Sequence, residues 1–202
     1  MNAHAKPSVG NKVYYLPGRG GLLGEGLGAA LTAHGLQVEG RELVGDFARL
    51  SIGEQLDLIW QDLASRPQQL VMAVSYGAYL YLHTQINRVH QGTACLLSPV
   101  VGAASVPGHG QGFVPPRADE LMRLADAGNY PALPKCQVHV GAQDWQAAQA
   151  QVFCERAGIA CHVVPGAGHT LPHSHVATLL NVLLTREPAA VPASATPPAP
   201  NP

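Results

Sequence analysis

Over most of the 202-residue chain, short apolar runs alternate with stretches in which apolar residues recur at helical spacing. The apolar runs lack regular polar alternation, which is typical of strands that are buried on both faces of a parallel sheet. This pattern predicts six strands: Val13–Leu16, Gln37–Leu43, Gln69–Val74, Thr93–Leu97, Cys136–Val140 and Ala160–Val164.

Helical segments are predicted between these strands and after the last one. Ser51 and Glu54 have the spacing of a capping box at the start of one helix, and Pro67 ends that segment. Gly35 and Gly158 follow two other segments, where glycine is a common helix terminator. Besides the helix that Ser51 opens, the predicted helices are Gly24–His34, Tyr76–Val89, Asp119–Ala127, Trp145–Ala157 and Leu171–Leu184.

Alternation of strands and helices predicts right-handed crossovers and a three-layer α/β sandwich, with a mostly parallel sheet and helices on both faces. We expect one domain over residues 13–186, preceded by an extension at 1–12. Residues 187–202 are rich in Pro and Ala and are predicted to be a disordered tail. Ligands of such sheets bind at the carboxyl ends of the strands, so we expect the functional residues to lie directly after the strands.

Composition narrows the function classes. Charged residues make up 12% of the chain, against about 25% in ordinary domains, and the formal net charge is −1. This balance argues against a coiled coil, a nucleic-acid binder or a protein held on an anionic membrane. The sparse charge is compatible with a homodimer, but the sequence does not establish the oligomeric state. The four cysteines lack zinc-type spacing and are expected to be small buried hydrophobes in a cytoplasmic protein.

The third predicted strand runs directly into a helix at Ser75, with Ala73 two residues before it and Gly77 two residues after. Small residues at these positions let strand and helix approach each other. The sharp turn exposes the serine hydroxyl and puts the next backbone N–H at the helix start. This arrangement is typical of a nucleophile elbow, although a serine that caps the helix is the alternative.

Two further polar residues follow later strands. Asp144 comes after the fifth strand and His169 after the sixth. A serine hydroxyl needs a base within hydrogen-bond reach, and the base needs an orienting carboxylate. The order Ser75, Asp144, His169 along the chain is the order expected for a catalytic triad in this fold class.

With these motifs the chain resembles a small, nearly lidless α/β-hydrolase of the serine esterase or thioesterase type, over residues 13 to about 185. The segment LPGRGG resembles the oxyanion loop, AVSYGA the elbow, VGAQD the acid loop and PGAGH the histidine loop. Two positions depart from the family pattern. Ala73 replaces the first glycine of the elbow, and Pro17 stands where the family usually has histidine.

The resemblance implies that Ser75 is the nucleophile, Asp144 the acid and His169 the base of an enzyme that cleaves small esters or thioesters through an acyl-enzyme. Such an enzyme needs no cofactor and no metal. It also implies that the backbone N–H groups of Arg19 and Tyr76 form an oxyanion hole.

Further residues are candidates for contact with the substrate. Gly18 lies in the oxyanion loop, and Trp145 directly follows the candidate acid. The Arg19 side chain has the chemistry to bind a substrate carboxylate or phosphate, although a solvated arginine is the simpler interpretation.

The sequence leaves other assignments of the acid and of the histidines open. Asp119 and Asp126 compete with Asp144 for the acid role. Five histidines have no catalytic pattern around them: His109, His139, His162, His173 and His175. Of these, His173 and His175 are better explained as surface residues than as metal ligands.

Two other function classes are also open. Gly18, Gly20 and Gly24 after the first strand, with Glu39 about 20 residues on, partly match the glycine-rich loop of a dinucleotide-binding protein. That assignment leaves Ser75, Asp144 and His169 unexplained. A catalytically degenerate hydrolase fold that serves as a binding module is the other class, and the departures at the elbow and the oxyanion loop favour it.

Overall fold

The computed structural model describes residues 12–105 and 112–185. Predictions for residues 1–11, His109 and the tail at 187–202 lie outside the described residues. The described residues fall into two compact units, with the boundary between Leu171 and Pro172. No helix among the described residues is long and apolar enough to cross a membrane.

The strands, in chain order, are β1 Lys12–Leu16, β2 Gln37–Gly40, β3 Leu70–Val74, β4 Ala94–Leu97, β5 Ala104–Ser105, β6 Gly112–Phe113, β7 Cys136–Gly141 and β8 Ala160–Val164. The helices are α1 Leu27–Ala33, α2 Gly45–Arg49, α3 Ile52–Ala64, α4 Ser75–Gln85, α5 Glu120–Asp126, α6 Ala147–Ala157 and, in the second unit, α7 His173–Thr185.

Six strands form one parallel sheet in the order β2-β1-β3-β4-β7-β8, while β5 and β6 form a separate antiparallel pair. The connection from β1 to β2 moves across the sheet in one direction, and the later connections move in the other. Right-handed crossovers therefore place α1 on one face and α3, α4, α5 and α6 on the opposite face. The predicted three-layer α/β architecture is confirmed.

The core lies around the central strands. The inner strands β1, β3, β4 and β7 are almost entirely buried beyond Lys12, which fits their continuous apolar sequences. Four aromatic side chains with almost no exposed surface fill the largest volumes, namely Tyr14, Tyr79, Tyr81 and Phe153. The edge strands β2 and β8 have few buried residues, so burial on both faces, predicted for every strand, is wrong for these two.

Local signals in the sequence account for several element boundaries. The Ser51 and Glu54 capping box is present at α3, with the Ser51 N–H donating to Glu54 Oε2 at 2.9 Å. Gly158 ends α6 in the left-handed conformation, with φ 66°. Cys95, Cys136 and Cys154 are buried as expected, and Cys161 is half-buried.

Three predicted boundaries differ from the structure by three residues or more. Helix α1 begins at Leu27 because Gly26 has φ 52°, which interrupts a right-handed helix. Strand β2 ends at Gly40, where a Cβ would lie 1.9 Å from the Tyr15 carbonyl oxygen. Helix α4 ends at Gln85, whose side-chain oxygen accepts a hydrogen bond from the His90 N–H as the chain turns away.

Three short elements were not predicted. One is helix α2. The other two are the paired strands β5 and β6, which lie between β4 and α5, where the sequence predicts only the helix Asp119–Ala127. The five-residue helix α2 has only one turn, which is too short to produce a helical apolar pattern. Its end is held by a residue from α3, since Gln55 Nε2 donates to the carbonyl oxygens of Phe47 and Leu50 at 3.0 and 3.2 Å.

Candidate active site

Ser75 lies at a sharp turn between β3 and α4. Its φ is 52°, a left-handed conformation that costs a non-glycine residue about 1–3 kcal/mol. The Ser75 carbonyl oxygen accepts a hydrogen bond from the Val100 N–H at 3.2 Å, which helps to hold the strained turn. The geometry is that of the predicted elbow, with Ser75 itself in the strained position.

The residues two positions before and after Ser75, Ala73 and Gly77, are small for different structural reasons. A Cβ on Gly77 would lie 2.2 Å from the Pro17 carbonyl oxygen and 2.4 Å from that of Leu16, so any larger residue would push α4 away from β1. Ala73 is fully buried in β3, where it pairs with Leu16. The glycine that the family pattern has at this position is therefore not required for close packing here.

His169 contacts both of the other candidate triad residues. Its Nε2 lies 2.9 Å from Ser75 Oγ, and its Nδ1 lies 3.0 Å from both carboxylate oxygens of Asp144. The Asp144 side chain is fully buried, whereas the His169 side chain is 30% exposed. The three residues predicted from the strand ends are therefore brought together in one hydrogen-bonded line.

The loop that carries His169 is fixed against the loop that carries Asp144. A Cβ on Gly141 would lie 2.2 Å from the Gly168 carbonyl oxygen, so the two loops meet backbone to backbone at the end of β7. The N–H of Gln143 donates to the Ala167 carbonyl at 2.8 Å. This close packing sets the distance between the carboxylate and the imidazole.

Sequence reasoning missed Gln146, which is fully buried beside the acid. Its N–H donates to Asp144 Oδ1 at 3.0 Å, and its side-chain Oε1 accepts from the Val101 N–H at 3.0 Å. Gln146 therefore connects the acid loop to the segment after β4, which also contacts Ser75. A glutamine two residues after an aspartate belongs to no recognised motif, so no sequence signal identifies it.

The candidate oxyanion loop lies close to Ser75. A Cβ on Gly18 would be 3.5 Å from Ser75 Cβ, which places the backbone of this loop beside the serine. Backbone hydrogen bonds brace the loop, from Gly20 to the Leu43 carbonyl at 3.2 Å and from Leu43 to the Gly21 carbonyl at 3.0 Å. This bracing does not involve a side chain at position 17.

Tyr76 and Trp145 each directly follow a candidate triad residue in the sequence. Tyr76 is the second residue of α4 and, together with Arg19, lines a cavity beside the oxyanion loop. The Trp145 ring lies against the His169 imidazole, with ring centroids 5.1 Å apart. Tyr76 therefore lies beside the oxyanion loop, and Trp145 lies beside the candidate base.

The competing residues have other partners. Asp126 pairs with Arg156, and Asp119 lies at the start of α5. The imidazoles of His139 and His162 stack on each other across β7 and β8, with centroids 4.6 Å apart. His173 and His175 lie at the start of α7 in the second unit. In residues 12–105 and 112–185, no group of three or more His, Cys, Asp or Glu could hold a metal ion.

The structure does not support the alternative that the protein binds a dinucleotide, because neither of the two features that such a site needs is present. Helix α1 begins three residues after Gly24, so the glycine-rich segment does not open directly into a helix. The Glu39 carboxylate, which would have to bind a ribose, is paired with Lys12 at 2.7 Å and Arg66 at 2.9 Å.

Comparisons with known proteins identify the fold. No family model and no curated protein matches the sequence. A monoacylglycerol lipase from Paleococcus ferrophilus is similar in structure, with a TM-score of 0.63 and 13% identity over 86% of this chain and 93% of that one. A carboxylesterase from Nitrososphaera gargenis gives a TM-score of 0.59 and 9% identity over 85% of this chain and 89% of that one.

A third similar structure is the N-formylmaleamic acid deformylase of Pseudomonas putida S16, with a TM-score of 0.57 and 16% identity over 88% of this chain and 93% of that one. These neighbours are α/β-hydrolases, and each likeness covers most of both chains. The protein therefore has the α/β-hydrolase fold, as its strand-end motifs predicted.

Proposed function

We propose that the protein is a serine hydrolase that cleaves a small ester or thioester through an acyl-enzyme. The observation that carries this proposal is the line of contacts from Ser75 Oγ through His169 to the buried Asp144 carboxylate. A serine that only capped a helix would need neither a base at 2.9 Å nor a buried carboxylate behind that base.

In the first half of the reaction, Ser75 Oγ forms a bond to the substrate carbonyl carbon while its proton moves to His169 Nε2. The carbonyl oxygen becomes an oxyanion, which accepts hydrogen bonds from the N–H groups of Arg19 and Tyr76. The bond to the leaving oxygen or sulfur then breaks, and His169 returns the proton to that atom. The alcohol or thiol departs and leaves an acyl group on Ser75.

In the second half, a water molecule attacks the acyl carbon and gives a proton to His169. The bond from the carbon to Ser75 Oγ breaks, and the same proton restores the serine hydroxyl. Asp144 holds the Nδ1–H tautomer of His169 throughout and stabilises the imidazolium that forms twice in each cycle. Every proton is therefore accounted for without a cofactor.

The proposal is tested by ester hydrolysis. Wild-type protein is expected to release p-nitrophenol from a series of p-nitrophenyl esters of increasing acyl length and thiol from the matching thioesters. Ser75→Ala should lose about 10⁶-fold in kcat and keep only the residual rate that the oxyanion hole and substrate binding supply. Ser98→Ala is the matched control, because Ser98 also follows a strand and also has a positive φ, of 45°. A kcat of Ser75→Ala within about tenfold of the wild-type value would contradict the proposal.

A further inference from the structure

A cavity of about 290 Å³ lies beside the candidate oxyanion loop. Arg19 and Tyr76 line it on the side of Ser75, and Ala48 and Leu50 from the region of α2 contribute to another wall. Its size is near the lower end of ordinary small-molecule cavities, which begin at about 300 Å³. It is therefore large enough for a short acyl chain but not for a large ligand.

The charge lining this cavity has one sign. Arg19 is the one charged residue among the described residues that line it. In the described part of the chain no carboxylate forms an ion pair with Arg19, whereas Arg41, Arg66 and Arg156 all have acidic partners. An anionic group that enters the cavity would therefore meet a guanidinium that no protein carboxylate has neutralised.

A second polar feature is buried in the apolar wall. The side-chain oxygen Oε1 of Gln55 is buried and has no hydrogen-bond partner among the described residues. A 180° rotation of the amide would break two hydrogen bonds, because Nε2 donates to the carbonyl oxygens of Phe47 and Leu50. Gln55 lines the cavity, but this oxygen has almost no accessible surface and is an acceptor, so it does not contribute to the binding of an anionic group.

The position of the cavity indicates which part of a substrate it takes. A leaving group must reach His169 Nε2 to receive its proton, and neither His169 nor Trp145 lines the cavity. Ser75 itself does not line it either, but its neighbour Tyr76 and Arg19 of the oxyanion loop both do. The acyl part remains attached to Ser75 and needs only to extend past the oxyanion loop. The cavity therefore suits the acid part of the substrate and not the alcohol part.

We propose that this cavity selects a substrate whose acid part carries a second, anionic group at its far end, bound by the Arg19 side chain. This inference rests on the proposed serine hydrolase activity and names its substrate class: an ester or thioester of an acid with a distal carboxylate or phosphonate-like group. A guanidinium binds either group through two parallel hydrogen bonds.

The test compares substrates that differ only in the distal group. The readout is the ratio of kcat/KM for mono-p-nitrophenyl adipate to kcat/KM for p-nitrophenyl hexanoate. The ratio cancels any effect on the oxyanion hole that both substrates share. In wild-type protein it should be about two- to fivefold, because Arg19 is exposed and a charge pair at an exposed site is screened by solvent. The p-nitrophenyl ester of 5-phosphonopentanoic acid, run alongside, distinguishes a carboxylate site from a phosphonate site.

Variants assign the preference to one side chain. Arg19→Gln should reduce the ratio to about 1, and Arg19→Lys should keep part of it. Arg49→Gln is the matched control, because Arg49 is an exposed arginine of α2 that does not line the cavity. The same decrease in Arg49→Gln would indicate a general electrostatic effect and would overturn the inference.

The two proposals fail in different ways. A wild-type ratio near 1, with p-nitrophenyl hexanoate hydrolysed, overturns the substrate class and leaves the serine hydrolase proposal intact. Absence of hydrolysis for every ester overturns both proposals. The wild-type ratio requires no variant, so a folding defect in an Arg19 variant cannot conceal the result.

Discussion

Both carboxylate oxygens of Asp144 lie 3.0 Å from Nδ1 of His169, and one of them also accepts a hydrogen bond from the Gln146 N–H. The carboxylate is fully buried, so it interacts with these protein groups and not with water. A buried carboxylate in this position fixes the histidine with its proton on Nδ1 and leaves Nε2 free to accept the serine proton.

Asp144→Asn should reduce kcat by about 10⁴-fold, the loss seen when the acid of a serine triad becomes an amide. The Gln146 N–H keeps one side of the side chain as an acceptor, so the amide NH₂ faces His169 Nδ1. The imidazole then carries its proton on Nε2 and cannot act as a base toward Ser75. Steady-state hydrolysis of p-nitrophenyl butyrate measures the loss.

Asp126→Asn and Asp119→Asn are the controls for this prediction, since both aspartates were alternatives for the acid. Asp126 already pairs with Arg156 on the surface, and Asp119 starts α5. Both variants should keep kcat within about twofold, as expected for surface substitutions of small effect. A large loss in either variant, with Asp144→Asn active, would reassign the acid.

Two glycine-to-alanine substitutions should have opposite effects on the free energy of unfolding, because one glycine lies at the close contact of α4 with β1 and the other lies in open space. A Cβ on Gly77 would lie 2.2 Å from a backbone oxygen, so Gly77→Ala should destabilise the protein by about 3 kcal/mol or more. Gly53 in the first turn of α3 has nothing within 4 Å of such a Cβ. Gly53→Ala should therefore stabilise the protein by up to about 1 kcal/mol.

Urea unfolding of both variants at pH 7.5 measures these changes in the free energy of unfolding. Hydrolysis rates add a second readout, because a displaced α4 would also move Ser75. Equal stabilities for Gly77→Ala and wild type would contradict the packing described for the elbow.

His83 predicts a pH dependence of stability. Its side chain is completely buried in α4, and burial, with a smaller contribution from the Arg117 charge, lowers its pKa to about 4. Glu120 Oε2 lies 3.3 Å from its Nδ1 and is the nearest acidic group. The unfolded chain has an ordinary histidine pKa of about 6.5, so between pH 6.5 and 4 it binds more protons than the folded protein.

The contribution of His83 to stability is therefore fully present above pH 6.5 and is lost as the pH falls toward 4. The pKa difference corresponds to about 3 kcal/mol across this window. Denaturant unfolding between pH 7.5 and 5 should show a shallower decrease for His83→Leu than for wild type. Identical slopes for the two proteins would show that His83 is not buried in its neutral form.

The sequence predicted those features that have a local signal. Ser75, Asp144 and His169 each follow a strand of strong apolar pattern, and the ends of parallel strands share one edge of the sheet. Their convergence therefore followed from topology and residue type. The capping box at Ser51 was predicted from spacing alone, because both of its hydrogen bonds join residues three positions apart.

Other features depend on contacts between distant parts of the chain. The buried Tyr14 hydroxyl donates to Asp62 at 2.8 Å, and Arg41 binds the same carboxylate at 2.6 and 2.9 Å. The cavity beside Arg19 is lined in part by Ala48 and Leu50, in the region of the short helix α2 to which Gln55 is hydrogen-bonded. No local pattern encodes such pairings, so they emerge only once the sheet order is known.

The most direct measurement of the central claim is covalent labelling with a fluorophosphonate, which reacts when an activated serine attacks phosphorus and fluoride leaves. We expect one adduct in the wild-type protein, located by mass spectrometry on the peptide that contains Ser75. Ser98→Ala should label equally and Ser75→Ala should not label at all. An adduct on another residue, or no labelling of folded wild-type protein, would contradict the assignment of Ser75 as the nucleophile.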